Sequence, residues 1–179
     1  DVCSSDLDGS TDATPERLAG RPDLYTQCIR LAKNGGKGAA VKAGLRAATG
    51  DYVLFQDADL EYDPVEYPKL IDPIVRYNAD VVMGSRTLGP SCRRVHYFWN
   101  MVGNELVTFA FNLLFNRTFS DVYTCYLLFR RTLVDVDRLR TTGFDQQAEL
   151  LAQCVKRGRV CYDVAIGYHG RSHAEGKKK

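Results

Sequence analysis

The chain has 179 residues and sets 24 Lys and Arg against 22 Asp and Glu, a formal net charge of +2. That balance excludes an electrostatic nucleic-acid binder, since the excess is matched by the solvated C-terminal run Lys177–Lys179. With 45% hydrophobic and 26% charged residues the composition is that of a globular domain able to bury roughly 70% of its unfolded surface. No run of 18 apolar residues offers a membrane span.

In chain order, residues 2–7 do not read as a buried strand, because serine and aspartate interrupt them. Residues 24–31 read as a strand and 37–48 as a helix stopped by Gly50. Residues 51–57 form a short buried strand. In 65–78 the apolar positions 67, 70, 71, 74 and 75 have helical spacing, with Pro68 and Pro73 expected to kink or shorten that helix. Residues 79–85 are the next strand. Over 95–116 polar residues recur every fourth position (His96, Asn100, Asn104, Thr108, Asn112, Asn116) among bulky apolar ones. This segment is a core helix or, in the sharper reading, a helix or a pair broken near Gly103 whose apolar side meets a bilayer. Residues 145–158 are a helix ending in cationic residues and Gly158, and 159–166 a last strand. Alternating strands and helices predict an α/β fold, a mostly parallel sheet covered by helices.

Ligands of such sheets gather beyond the carboxyl ends of the strands. Two predicted strands end in polar sequence there: 51–57 runs into Asp57, Asp59, Glu61 and Asp63, and 79–85 into Arg86. Carboxylates this close resist ionising together unless a cation relieves them. Two acids separated by one residue can reach one hard ion, and Mg²⁺ or Mn²⁺ takes oxygen ligands and bridges carboxylates to phosphates. A solvated acidic loop is the bland alternative.

The glycine-rich turn before Lys37 reads best as a plain helix start, with Lys37 a minor candidate for a phosphate contact. His169 and His173 are four apart, a zinc spacing only on a helix, which Gly170 opposes. Arg93 and Arg94 are surface charges or contacts to lipid headgroups or phosphate. The six cysteines, Cys3, Cys28, Cys92, Cys125, Cys154 and Cys161, include no C-x-x-C pair and read as reduced, cytosolic thiols. No signal peptide is recognisable, and the sequon at Asn116 would be silent on a cytosolic face.

Five stretches occur in a telling order: "DGSTD" (8–12), "NGGKGAAVKAGLRAATGDYVLFQDADLEYDP" (34–64), "ADVVMGSR" (79–86), "NLLFNRTFSDVYTCYLLFRR" (112–131) and "GRSHAEGKK" (170–178). Together they resemble the family 2 glycosyltransferases of GT-A fold, in the branch of dolichyl-phosphate mannosyltransferases and bacterial polyprenyl-phosphate sugar transferases. The resemblance implies one catalytic domain over 1–179, Rossmann-like, with 95–116 a membrane-interfacial segment. It implies an inverting transfer of a sugar from a GDP-mannose- or UDP-glucose-type donor to a polyprenyl or dolichyl phosphate, on the cytosolic membrane face. Asp8 would hold the base or ribose. Asp57 and Asp59 would bind Mg²⁺ or Mn²⁺ and the donor diphosphate, with Glu61 beside the metal, and Arg86 and Arg171 would meet phosphate. A sugar nucleotidyltransferase and an inactive nucleotide-sugar-binding or membrane-docking domain are the alternatives.

The chain also departs from the family's pattern. It starts just before "DGS", where relatives carry an earlier strand and a Pro-x-x-Asn-Glu-like loop, and Leu7 stands where a second acid is common. The expectation is a domain incomplete at its N-terminus, lacking its first strand, poorly soluble and weakly active alone. Tyr123 and Leu127 replace charged residues of relatives, which bears on acceptor contacts more than on metal binding.

Overall fold

The computed structural model describes the backbone of residues 3–8, and residues 12–89, 97–141, 143 and 145–171 with their side chains. The chain divides into two compact units, Asp1–Val53 with Arg130–Gln153, and Leu54–Phe129 with Cys154–Lys179.

In the first unit β1 (Cys3–Asp8) and β2 (Gln27–Leu31) pair in parallel, with Cys3 opposite Gln27, Asp8 opposite Leu31 and an irregularity between Ser4 and Leu7. Residues 2–7, which do not read as a buried strand in the sequence, thus contribute to a strand all the same. Backbone pairing with β2 supplies an order that the sequence pattern does not advertise. Between these strands lies α1 (Thr14–Ala19), with the Asp12 carboxylate accepting the Thr14 N–H at 3.0 Å. A 3₁₀ turn at Pro22–Leu24 delays β2 beyond the expected start at 24. Next, α2 (Lys37–Ala47) buries Ala40, Val41 and Leu45 on one face and packs on β1. It begins after Gly36, whose φ of +81° lies in the region that favours glycine. The strand expected at 51–57 is shorter, β3 (Tyr52–Leu54).

Leu54 opens the second unit, where strands lie in the order β5-β4-β6. Its centre is β4 (Val81–Ser85), every residue of which is buried. This is why the sequence there is a continuous apolar run rather than an alternating one. It runs parallel to β6 (Cys161–Ala165), from Val81 opposite Cys161 to Ser85 opposite Ala165, and antiparallel to β5 (Leu127–Arg130), Val81 facing Phe129. β5 was not anticipated from the sequence. A Cβ on Gly84 would come within 2.8 Å of the Tyr126 Cβ and 2.9 Å of the Ile166 Cδ1, so only glycine fits there.

A 3₁₀ turn, Pro64–Glu66, leads into α3 (Tyr67–Tyr77), which packs on β4 and β6 and buries Leu70 completely. Burying such a side chain contributes about 1.5–3 kcal/mol. Pro68 sits in the first turn, where a missing N–H is harmless, and Pro73 is accommodated inside the helix. Asn78, left-handed at φ +52°, ends it. α4 runs unbroken from Phe98 to Phe115. Gly103 does not divide it, and a Cβ there would meet nothing within 4 Å. Finally α5 (Gln146–Arg157) continues from the first unit into the second and leads to β6.

Candidate functional site

Beyond β3 the chain enters the acidic loop, and Gln56 shapes it. The Gln56 amide donates to the carbonyls of Asp57 (2.8 Å) and Tyr62 (3.3 Å), while its Oε1 accepts from the hydroxyls of Tyr67 (2.9 Å) and Tyr126 (2.6 Å). Four hydrogen bonds to one side chain hold both ends of the turn. Inside it, Asp59 Oδ1 accepts the Glu61 N–H at 3.0 Å, and Leu60 between them adopts a left-handed φ of +63° with its side chain in solvent. That conformation costs a branched residue on the order of 1–3 kcal/mol and persists only where the surroundings impose it.

Glu61 is buried, and its carboxylate is already engaged. Oε2 accepts the Tyr168 hydroxyl at 2.6 Å, and Oε1 accepts the Arg171 N–H at 2.9 Å with Arg171 Nε at 3.4 Å. The Glu61 carbonyl accepts the His169 N–H at 2.9 Å. Burial, and then the hydrogen bond and charge of Glu61, push the Tyr168 hydroxyl above its ordinary pKa, so it remains a donor. Glu61 therefore anchors the segment after β6. Among the described residues no three of His, Cys, Asp and Glu gather to hold a metal ion, so the expected trio of Asp57, Asp59 and Glu61 does not assemble as a ligand set. Asp57 and Asp59 retain the right chemistry: two hard carboxylates, with the other coordination positions left for water and a diphosphate. A cation already faces one of them, since Arg171 Nη2 lies 3.4 Å from Asp59 Oδ2.

Arg86, expected to face phosphate, is committed elsewhere. Its Nε and Nη2 donate to Oδ2 and Oδ1 of Asp121 at 2.6 and 2.9 Å, and Nη2 also donates to the Tyr123 carbonyl at 2.9 Å. Asp121 is fully buried and receives the Asn104 amide of α4 at 3.1 Å. Burial alone would raise the Asp121 pKa; the Arg86 hydrogen bond and charge, with Asn104, reverse that and hold it below the ordinary carboxylate range. The guanidinium stacks over the Tyr168 ring, 5.2 Å from its centroid. A continuous chain of contacts thus runs Asp59, Arg171, Glu61, Tyr168, Arg86, Asp121. The turn beside Arg86 is fixed by Ser85 Oγ, which accepts the Thr87 and Leu88 N–H groups at 3.2 and 3.1 Å and lies 2.6 Å from the Ser120 hydroxyl oxygen.

Of the expected site residues, the structure brings Asp59, Glu61 and Arg171 together and joins Arg86 to them through Tyr168. Asp8 ends β1 and Lys37 begins α2, both in the first unit. Arg93, Arg94 and His173 lie outside the described residues. Sequence reasoning missed Gln56, Asp121 and Tyr168. All three lie in or beside the quoted motifs, but a hydrogen-bonded hub has no local periodicity to betray it.

The model of glycosyl transferase family 2 matches residues 7–137. The chain is 30% identical over 169 residues to the low-salt glycan biosynthesis hexosyltransferase Agl6 of Haloferax volcanii, covering 92% of this chain and 39% of that protein. It is 26% identical to the dodecaprenyl-phosphate galacturonate synthase of Rhizobium johnstonii, covering 95% and 50%. The chain thus spans half or less of the length of these relatives. Among solved structures, glucosyl-3-phosphoglycerate synthase from Mycobacterium tuberculosis, in complex with Mn²⁺, UDP and phosphoglyceric acid, superposes with a TM-score of 0.64 at 20% identity, covering 93% of this chain and 59% of that one. This likeness gives the fold, which is GT-A. The matched span takes in the acidic loop, β4 and the Arg86–Asp121 pair, and the chain belongs to glycosyl transferase family 2.

Proposed function

We propose that the chain transfers a sugar, with inversion, from a nucleoside-diphosphate donor to a polyprenyl phosphate at a membrane surface. Asp57 and Asp59 are the residues that would hold Mg²⁺ or Mn²⁺, which neutralises the charge that develops on a departing diphosphate. Gln56 and Glu61 keep the acidic loop and Arg171 in place before substrate arrives. A phosphate monoester with a second pKa of about 6 is largely ionised at neutral pH, so the acceptor is already nucleophilic and the site needs no general base.

The observation that supports a lipid acceptor is the reversed polarity of α4. Three of its polar residues, Asn104, Thr108 and Asn112, face the protein, while Asn100 and Glu105 are exposed. Asn104 binds Asp121, the Thr108 hydroxyl accepts the Val122 N–H at 3.3 Å, and the Asn112 amide exchanges hydrogen bonds with the Phe119 backbone at 2.6 and 2.9 Å. These are successive i, i+4 positions, one face of the helix. Outward stand Phe98, Trp99, Leu106, Phe109, Leu113 and Leu114, the last 78% exposed. A contiguous apolar surface of this kind marks an interaction face, and between Phe98 and Phe115 Glu105 is the only ionisable residue. The helix is not long and apolar enough to cross a membrane. A bilayer is the occupant we infer, because a relative is a dodecaprenyl-phosphate sugar synthase and tyrosine and tryptophan at the N-terminal end suit the headgroup boundary. Within the helix Phe109 and Phe111 differ: Phe109 is 67% exposed, whereas Phe111 is buried with its ring centroid 4.5 Å from that of Phe115.

Incubating the chain with labelled GDP- and UDP-linked sugars and a short polyprenyl phosphate is expected to place label in the organic phase. Label exchanged only through pyrophosphate would point instead to a nucleotidyltransferase, and no transfer from either donor overturns the proposal. The triple change Phe109→Ser, Leu113→Ser and Leu114→Ser is expected to leave the fold intact and reduce co-flotation with anionic liposomes at least about tenfold, removal of three exposed apolar side chains being the cause. Undiminished flotation, or loss of a dimer in place of lipid binding, would rule out the bilayer as occupant.

A further inference from the structure

We propose that Arg171 stands at Asp59 in place of a divalent cation, held within reach by Glu61, and that metal binding displaces it toward the donor diphosphate. The inference rests on the reading of Asp57 and Asp59 as metal-holding carboxylates, and it moves Glu61 from metal ligand to positioning residue.

Two kinds of contact hold Arg171, and they differ in strength. The backbone is fixed by the 2.9 Å bond from its N–H to Glu61 Oε1, next to the Tyr168 and His169 bonds to the same residue. The Glu61 side chain is only 7% exposed, so these bonds are shielded from water. The guanidinium is held loosely. Nη2 to Asp59 and Nε to Glu61 are both 3.4 Å, beyond the usual hydrogen-bond range, and the Arg171 and Asp59 side chains are 37% and 32% exposed. An exposed pair of this geometry shifts an equilibrium by no more than about fivefold.

The difference in strength dictates what happens when a divalent ion arrives. Asp59 Oδ2 faces one cation in this arrangement, and a metal bound there takes its charge and its lone pairs. The guanidinium can turn away without breaking the Glu61 anchor, because the anchoring bond uses the backbone N–H. A released guanidinium beside a metal-bound diphosphate has a planar fork of donors matched to phosphate oxygens. Arg171 therefore opposes metal alone and favours metal together with nucleotide. By linkage, nucleotide should strengthen metal binding by the factor that metal strengthens nucleotide binding.

The test is a Mn²⁺ titration of the 179-residue chain without nucleotide, followed by electron paramagnetic resonance of the free ion, on wild type and Arg171→Gln. The variant is expected to bind Mn²⁺ about two- to fivefold more tightly, the worth of an exposed ion pair, and to bind UDP and GDP more weakly at saturating Mn²⁺. A purely structural role for Arg171 would weaken Mn²⁺ binding, so the sign decides. Equal or weaker Mn²⁺ affinity in the variant overturns the exchange while leaving the metal reading intact. Mn²⁺ bound by neither protein overturns the metal reading and the exchange with it. Circular dichroism of both proteins checks that the half-exposed substitution has not disturbed the fold, and Arg171→Met serves as a second neutral variant with the same expected sign.

Discussion

Asp121→Asn is expected to destabilise the chain by about 3–5 kcal/mol, the cost of leaving a desolvated guanidinium without its counter-charge. Asp121 is fully buried and the Arg86 side chain is 22% exposed, so solvent screens little of the loss. Equilibrium urea denaturation of wild type and variant measures it. Replacing both partners with apolar residues should recover much of the stability, because the pair's desolvation cost disappears along with its attraction. A single-variant loss under about 1 kcal/mol would place the pair among ordinary surface salt bridges.

The same substitution carries a pH signature. Asp121 has a folded pKa below its unfolded value near 3.9. Its contribution is therefore fully present above about pH 4 and is lost as pH falls through the lower, folded value. Asp163 acts in the opposite sense. Burial raises its pKa, only partly offset by the N–H and hydroxyl of Ser120 at 2.6 and 2.8 Å, so its contribution is present at low pH and lost as pH rises through the raised value. Wild-type stability should fall below about pH 4, and the acid limb of Asp121→Asn should be shallower. An identical limb in both proteins would mean that other carboxylates dominate acid unfolding.

The second large effect is expected at the acidic loop. Asp59→Asn should weaken metal-dependent binding of GDP or UDP at least about a hundredfold, more than loss of an outer-shell partner costs. Asparagine is the informative replacement because it keeps the oxygen that accepts the Glu61 N–H, so the turn survives and only the charge is lost. Calorimetric titration of both nucleotides with and without Mn²⁺ reads the effect and also identifies the donor base. Binding unchanged in the variant would remove Asp59 from the metal site.

Much of the architecture was legible along the chain. The buried face of α2, the helix of α5 and the apolar run of β4 follow from periodicities that no distant residue alters. Two strands escaped. β1 looks polar residue by residue and is a strand because β2 lies beside it, and β5 is a four-residue run that becomes a strand by pairing antiparallel to β4. In α4 the four-residue polar rhythm was plain, but not which side faced inward. That depended on whether Asn104, Thr108 and Asn112 found partners, and they do so in the chain's return through Phe119–Val122.

By itself the sequence determined the α/β alternation, the family and the two aspartates spaced by one residue, because these are properties of neighbours in the chain. Only the tertiary structure decided which charges meet. Arg86 pairs with an acid 35 positions away, and Arg171 is anchored by one 110 positions away. An arginine reads the same in sequence whether it faces a phosphate or a buried carboxylate. The choice is made by folding, which removes Asp121 and Glu61 from water and leaves each needing a donor within about 3 Å to offset the desolvation of its charge.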